Sequence, residues 1–230
     1  MATTPRAFIF DCDGTLLDSM GMWLSVQPRL LASYGFETTP SDFAAFEHLS
    51  VEEECEAYHE TWGVGESGAD VYERLQRLLE RGYAEDVVPR EGALAFLEEA
   101  HAAGIPMAVA TSTPAAFVRQ GLERWGMERY ISRVTTTDES GKSKEHPDVY
   151  NLALARLCED FGLGDVSPEE AWVFEDTVFG LKSSGSAGYR RVGIYDPAGR
   201  CARADVFANA EIGVDSYTEL PLSRILSFEA

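Results

Sequence analysis

Three short apolar runs in this chain stop abruptly at polar residues. Ala7-Phe8-Ile9-Phe10 ends at Asp11 and Asp13, residues 105–110 end at Thr111 and Ser112, and Ala171-Trp172-Val173-Phe174 ends at Glu175 and Asp176. Unbroken apolar runs of this length suit strands covered on both faces, which belong to sheets wrapped by helices. The segments between them read as helices: residues 91–103 closed by Gly104, 114–125 with Pro114 in the first turn, 147–161, and 178–187 closed by Gly188. Short strands are expected at 134–136 and 191–194, and Ser167-Pro168-Glu169-Glu170 has the pattern of a capping box. Strands alternating with helices predict an α/β fold built on a doubly wound parallel sheet. Such sheets bind ligands at the carboxyl ends of their strands, so the three polar strand ends predict one shared site.

Residues 20–86 read differently. Strand-like runs vanish, and apolar residues recur at helical spacing, as in Trp23, Val26, Leu30 and Leu31, then Tyr72, Leu75, Leu78 and Leu79. This predicts a helical insertion. Charge is concentrated there: the chain has 39 Asp+Glu against 19 Lys+Arg, a net charge of −20. Such a balance disfavours nucleic acid and anionic membranes, whose phosphates it would repel. Cys12, Cys55, Cys158 and Cys201 are too scattered for a zinc site or a disulfide framework, and no apolar run is long enough to span a bilayer. With no leader-like pattern at residues 1–6, the expectation is a reduced, cytoplasmic, soluble protein, monomeric by default.

The most informative stretch is Asp11-Cys12-Asp13-Gly14-Thr15-Leu16-Leu17-Asp18-Ser19. Two carboxylates one residue apart at a strand end are costly to hold together, and a divalent cation is the usual remedy. Gly14 permits an unusual turn beside them. The stretch resembles the first signature of the haloacid dehalogenase superfamily, in its phosphatase branch. Three further stretches extend the resemblance in order along the chain. Val109-Ala110-Thr111-Ser112 resembles the second signature and Lys144-Glu145-His146-Pro147-Asp148-Val149-Tyr150 the third, with Glu145 where a proline is usual. Val173-Phe174-Glu175-Asp176-Thr177-Val178-Phe179-Gly180 resembles the fourth.

The resemblance implies a Rossmann-like catalytic core over residues 1–19 and 88–230, with an α-helical cap over 20–87. It also implies a Mg²⁺-dependent phosphatase acting on small phosphorylated metabolites, such as sugar or polyol phosphates. Asp11 would be the nucleophile that forms an aspartyl-phosphate, and Asp13 the acid and base. Thr111, Ser112, Lys144 and Gly14 would hold the phosphoryl group. Mg²⁺ would sit on Asp11, the backbone carbonyl of Asp13 and Asp176, with Glu175 bound directly or through water. Lys142 competes with Lys144 for its role, and Thr111 has a helix cap as its alternative reading. Asp18 and Ser19 read as caps of the following helix, Cys12 as core packing, and the four histidines as structural.

Absences narrow the branch. The three lysines, Lys142, Lys144 and Lys182, all lie outside the insertion, which argues against a phosphonate hydrolase needing a cap lysine. Asp13 argues against the dehalogenase branch, which lacks that residue. A β-phosphoglucomutase-like isomerase using the same intermediate is the alternative, although Trp23 stands about where that branch places a histidine. A non-catalytic phosphate-binding protein is the remaining one. From Glu37 to Asp86, 14 Asp+Glu face three arginines. That field either disfavours long polyanions or is a solvated surface.

Overall fold

The computed structural model describes residues 5–229. The first four residues of the expected core segment lie outside the described residues. Strand β1 (Ala7–Phe10) is followed by β2 (Leu17–Asp18) and then by helices α1 (Met20–Ala32), α2 (Val51–Trp62) and α3 (Gly68–Glu85). The chain then continues through β3 (Val88–Pro89), α4 (Ala93–Ala102), β4 (Met107–Thr111), α5 (Ala115–Arg124), β5 (Val134–Thr136) and α6 (Thr137–Ser140). Next come α7 (Asp148–Phe161), β6 (Ala171–Glu175), α8 (Val178–Ser186) and β7 (Arg190–Ile194). The described chain ends with α9 (Arg203–Ala208), β8 (Ile212–Val214) and α10 (Leu222–Leu226).

Among the described residues, six strands form one parallel sheet in the order β5-β4-β1-β6-β7-β8. This is the doubly wound α/β architecture expected from the sequence. The strand order reverses around β1, and the crevice at that reversal is where such sheets present a ligand site. Strand periodicity explains the two cores. Phe8 and Phe10 point to one face with Phe174, Trp172 and Val109, while Ala7 and Ile9 point to the other with Val173, Ala108 and Ala110. All four residues of β1 are fully buried, as a central strand covered on both faces requires.

The helices of residues 20–85 pack by a stripe with a four-residue step. On α3 it is Val71, Leu75, Leu79 and Tyr83 that are buried. The expected Tyr72 and Leu78 sit beside that stripe, half-buried. Ser50 opens α2 with a reciprocal cap: its hydroxyl accepts from Glu53 N–H at 3.4 Å, and its own N–H donates to Glu53 Oε2 at 2.9 Å. β2 and β3 pair antiparallel where the chain enters and leaves these helices.

The Ser167 capping box forms as expected, over a single 3₁₀ turn that leads directly into β6. Two local expectations need correction. Ser19 occupies the N-cap position of α1, yet its hydroxyl caps nothing there. Asp18 lies in β2 with its side chain exposed, held by strand pairing and not by a helix end. The sequence reading also left residues after 195 unassigned, where the structure adds β8 and two short helices. No helix of the described residues is long and apolar enough to cross a membrane.

The ring of Phe174 stacks on Phe10 at 4.3 Å and meets Phe8 at 5.1 Å and Phe96 at 5.4 Å. Truncating Phe174 to Ala should cost about 3–5 kcal/mol in chemical denaturation, because this fully buried cluster cannot collapse around the gap.

Candidate active site

The carboxyl ends of β1, β4 and β6 converge because β1 is hydrogen-bonded between the other two. Phe10 is in register with Val109 on one side and Phe174 on the other, so Asp11 and Glu175 emerge at one level and Thr111 one residue further along. Asp11 N–H still donates to Phe174 O at 2.9 Å, which fixes its backbone as the strand ends. Cys12 turns away into the core, as alternation requires.

Lys144, in the loop before α7, reaches into this junction. Its ammonium donates to Asp11 Oδ1 at 2.5 Å and to Glu175 Oε1 at 2.6 Å. Its backbone carbonyl accepts from Ser183 Oγ at 2.6 Å, which anchors the loop on α8. Lys142 is instead exposed and pairs with Asp148 at 3.2 Å. Glu175 is saturated with donors. Tyr150 OH joins Lys144 on Oε1 at 2.8 Å, and the Thr177 N–H and hydroxyl occupy Oε2 at 3.1 and 2.7 Å.

Two glycines make room for these carboxylates. Gly14 adopts φ +89°, and a side chain there would collide with the Asp176 carboxylate. Gly180 lies in the first turn of α8, where a Cβ would come 2.5 Å from the Glu175 carboxyl carbon and 2.7 Å from the Tyr150 hydroxyl.

Asp11, Glu175 and Asp176 each offer an oxygen within 4.8 Å of the others, all three residues being buried. Lys144 supplies the one positive charge that touches this group, through Asp11 and Glu175. An uncompensated buried charge is expensive, and the acidic groups respond accordingly. Burial, opposed by Lys144 and reinforced by Glu175 and Asp13, pushes Asp11 up to about 7. Burial, with Asp11 and Glu175 adding to it, holds Asp176 well above the usual carboxylate range. Burial alone would lower Lys144, but its two carboxylate partners outweigh that and raise it. Asp11 Oδ2 is buried without a partner. Three hard oxygen donors, one of them an orphan, with charge in excess of their counter-ion, fit a divalent cation.

Asp13 sits beside this cluster, its side chain directed elsewhere. Its Oδ1 accepts from Ser19 Oγ at 2.6 Å and from Tyr83 OH at 2.5 Å, the latter from α3 and itself receiving the Trp23 indole N–H at 3.2 Å. Oδ2 is left buried and without a partner. Thr111 Oγ1 accepts from Thr113 N–H at 3.0 Å, two residues before α5 begins, so it is not a helix cap. Ser112 Oγ is buried without a partner.

Tyr83, Asp196 and Arg90 escaped the sequence reading. Asp196 approaches Gly14 and pairs with Arg90 at 3.0 Å. The strand-end rule would have found it just beyond β7, whereas nothing in the sequence ties Tyr83 to a residue seventy positions away.

The strand-end residues border a cleft of about 630 Å³, open to solvent, between the carboxyl ends of the strands and the helices of residues 20–62. Its sheet-side wall carries Asp11, Asp13, Thr111, Ser112, Lys144 and Asp176. The helical wall carries Trp23, Gln27, Glu47, Glu54 and, from the loop after β7, Arg200. Glu54 is pushed from 4.5 up to about 8, chiefly by burial.

A doubly wound sheet presenting a carboxylate–lysine cluster at its strand ends defines a class of α/β enzymes that transform small ligands. The chain belongs to the haloacid dehalogenase-like hydrolases, matching that family over residues 8–194. A phosphorylated carbohydrates phosphatase from Thermotoga maritima is 28% identical over 187 residues, which are 81% of this chain and 83% of that one. Hexitol phosphatase A of Escherichia coli is 28% identical over 195 residues, 84% of each chain. The crystal structure of CbbY from Rhodobacter sphaeroides, in complex with phosphate, covers 97% of this chain and 100% of its own at a TM-score of 0.80 and 24% identity. A mutant of that protein in complex with xylulose-(1,5)bisphosphate matches equally well. At that identity the likeness to CbbY is one of fold.

A carboxyl that keeps its proton up to about pH 8 in the fold, and loses it near 4.5 when unfolded, takes up a proton on folding between those values. Its contribution therefore falls as pH rises through that window, by up to about 1.4 kcal/mol per pH unit. Glu54→Gln should lose less stability than wild type between pH 5 and 8 in parallel denaturant titrations. Parallel curves would contradict the shift.

Proposed function

We propose that this chain is a Mg²⁺-dependent phosphatase of small phosphorylated metabolites, sugar or polyol phosphates, working through an aspartyl-phosphate. In this reading residues 20–87 are a helical cap over a catalytic core of 1–19 and 88–230. The observation that carries it is the pair of orphaned oxygens at one strand end: Asp11 Oδ2 and Asp13 Oδ2 both lack partners, and both residues line the cleft. The names of the phosphatase relatives point the same way.

Asp11 Oδ2 attacks phosphorus while the ester P–O bond breaks, and Asp13 delivers a proton from Oδ2 to the departing alkoxide oxygen. Asp13, now ionised, takes a proton from the water that attacks the phospho-aspartate, releasing phosphate and restoring both residues. Lys144 holds Asp11 Oδ1, which leaves Oδ2 as the reacting atom, and brings positive charge to the phosphoryl oxygens. The Thr111 and Ser112 hydroxyls and the backbone at Gly14 hold the phosphoryl group. Asp11, Asp176 and the Asp13 carbonyl would hold Mg²⁺, with Glu175 engaged by its four donors and acting through water. When bound, Mg²⁺ offsets the repulsion between anionic nucleophile and anionic phosphate.

Phosphate release from a panel of phosphorylated metabolites tests the reading. Asp11→Asn should lower turnover by about 10³-fold or more, and chelation of divalent cations should abolish it. With β-glucose 1-phosphate and a trace of the 1,6-bisphosphate, free phosphate is expected. Glucose 6-phosphate without free phosphate would mean an isomerase.

Tyr83 and Ser19 occupy Asp13 Oδ1 and so aim Oδ2. A p-nitrophenolate leaves without protonation, whereas a sugar alkoxide does not. Tyr83→Phe should therefore widen the gap in kcat between p-nitrophenyl phosphate and a sugar phosphate by about tenfold. An equal loss on both would make Tyr83 merely structural.

A further inference from the structure

Four polar side chains on the helical wall form one directed chain of hydrogen bonds. Arg200 Nη2 donates to Gln27 Oε1 at 3.1 Å, Gln27 Nε2 donates to Tyr58 OH at 3.0 Å, and Tyr58 OH donates to Glu54 Oε2 at 3.2 Å. The order fixes the Gln27 amide and turns Glu54 into the acceptor at the end of the chain. Glu54 is 6% exposed, lines the cleft, and has no ion-pair partner among the described residues. Lys144 and Arg200 are the cations among the residues lining the cleft. Lys144 is committed to Asp11 and Glu175. Arg200 is committed to Gln27, to Pro40 O at 3.0 Å and to Glu47 at 3.7 Å, which leaves Nε buried without a partner.

A second phosphate or carboxylate on the substrate would meet on this wall a single unpaired guanidinium N–H, on an Arg200 whose charge is already shared with Glu47 and whose other nitrogen is held by Gln27 and Pro40 O. One shared guanidinium offsets little of the hydration such a group would lose there. A hydroxyl group both donates and accepts, and this wall offers both kinds of partner: the Glu54 carboxyl, the Gln27 amide and Arg200 Nε. We propose that Glu54, with Gln27 and Arg200, recognises the hydroxyls of a polyhydroxy phosphomonoester and rejects substrates bearing a second anionic group. This rests on the phosphatase reading above and assigns that site its selectivity. CbbY shows that the fold itself can accommodate a bisphosphate. The selectivity therefore belongs to these side chains.

Steady-state kinetics on sorbitol 6-phosphate, fructose 1,6-bisphosphate, 2-phosphoglycolate and p-nitrophenyl phosphate test the assignment. Wild-type kcat/KM for sorbitol 6-phosphate should exceed that for each doubly anionic substrate by about tenfold or more. Glu54→Leu should lower the ratio of sorbitol 6-phosphate to p-nitrophenyl phosphate by about tenfold, mainly through KM, because a site built to pair with hydroxyls loses its acceptor. Glu54→Gln, which keeps hydrogen-bonding capacity, should retain most of that ratio. A wild-type preference for either doubly anionic substrate overturns the proposal, as does an unchanged ratio in Glu54→Leu. If Glu54→Leu does not fold, the wild-type ranking and Glu54→Gln decide. No phosphate from any of the four substrates would instead sink the phosphatase reading itself.

Discussion

Lys144 between Asp11 and Glu175 is the contact on which the site depends. One ammonium bridges the ends of two strands that are not neighbours in sequence, and it does so in a pocket where burial alone would weaken its hold on the proton. Remove it and three carboxylates face one another at the end of a dry sheet. The surrounding structure is arranged to keep it in place. Tyr150 and Thr177 hold Glu175, Ser183 holds the Lys144 backbone, and the aromatic stack of Phe10 and Phe174 holds the strands that carry the two carboxylates. Even so the cluster carries more carboxylates than positive charge, a set that could hold a divalent cation.

The helices of residues 20–85 contribute by contact as well as by cover. Tyr83 from α3 reaches Asp13, and Gln27 from α1 is tied to Arg200 in the loop after β7. Both walls of the cleft thus share side chains. In the proposed mechanism, acid–base geometry and substrate recognition would both depend on this placement of helices against the sheet. The acidic surface of these helices, first met as a charge count, has one concrete expression in the cleft: Glu54 is buried, where a solvated face would have left it exposed.

Much of this was legible in the sequence because unbroken apolar runs and strand-end polarity are local. Ala7–Phe10 and the pairs Thr111–Ser112 and Glu175–Asp176 could be read directly, since each needs only a few consecutive residues to be recognised. What was hidden is non-local. The assignment of Ser19 as a cap failed because a nearby carboxylate, Asp13, was a stronger acceptor for its hydroxyl than the helix end was a donor. Tyr83 and the Arg200–Gln27–Tyr58–Glu54 chain join segments far apart in sequence, and no spacing rule reports them.

Gly180 shows what that distinction means for drift in sequence. A glycine in the first turn of a helix gives up about 1 kcal/mol of helix propensity relative to alanine, so isolated selection for stability would replace it. Here the replacement would push against the Glu175 carboxyl, which holds Lys144, and the Tyr150 hydroxyl, which holds Glu175. The stabilising exchange is therefore barred at this position by the side chains packed against it. Five residues beyond Glu175, the chain carries a mark of the site that an observer could read without knowing any catalytic residue: a helix kept weaker than it needs to be.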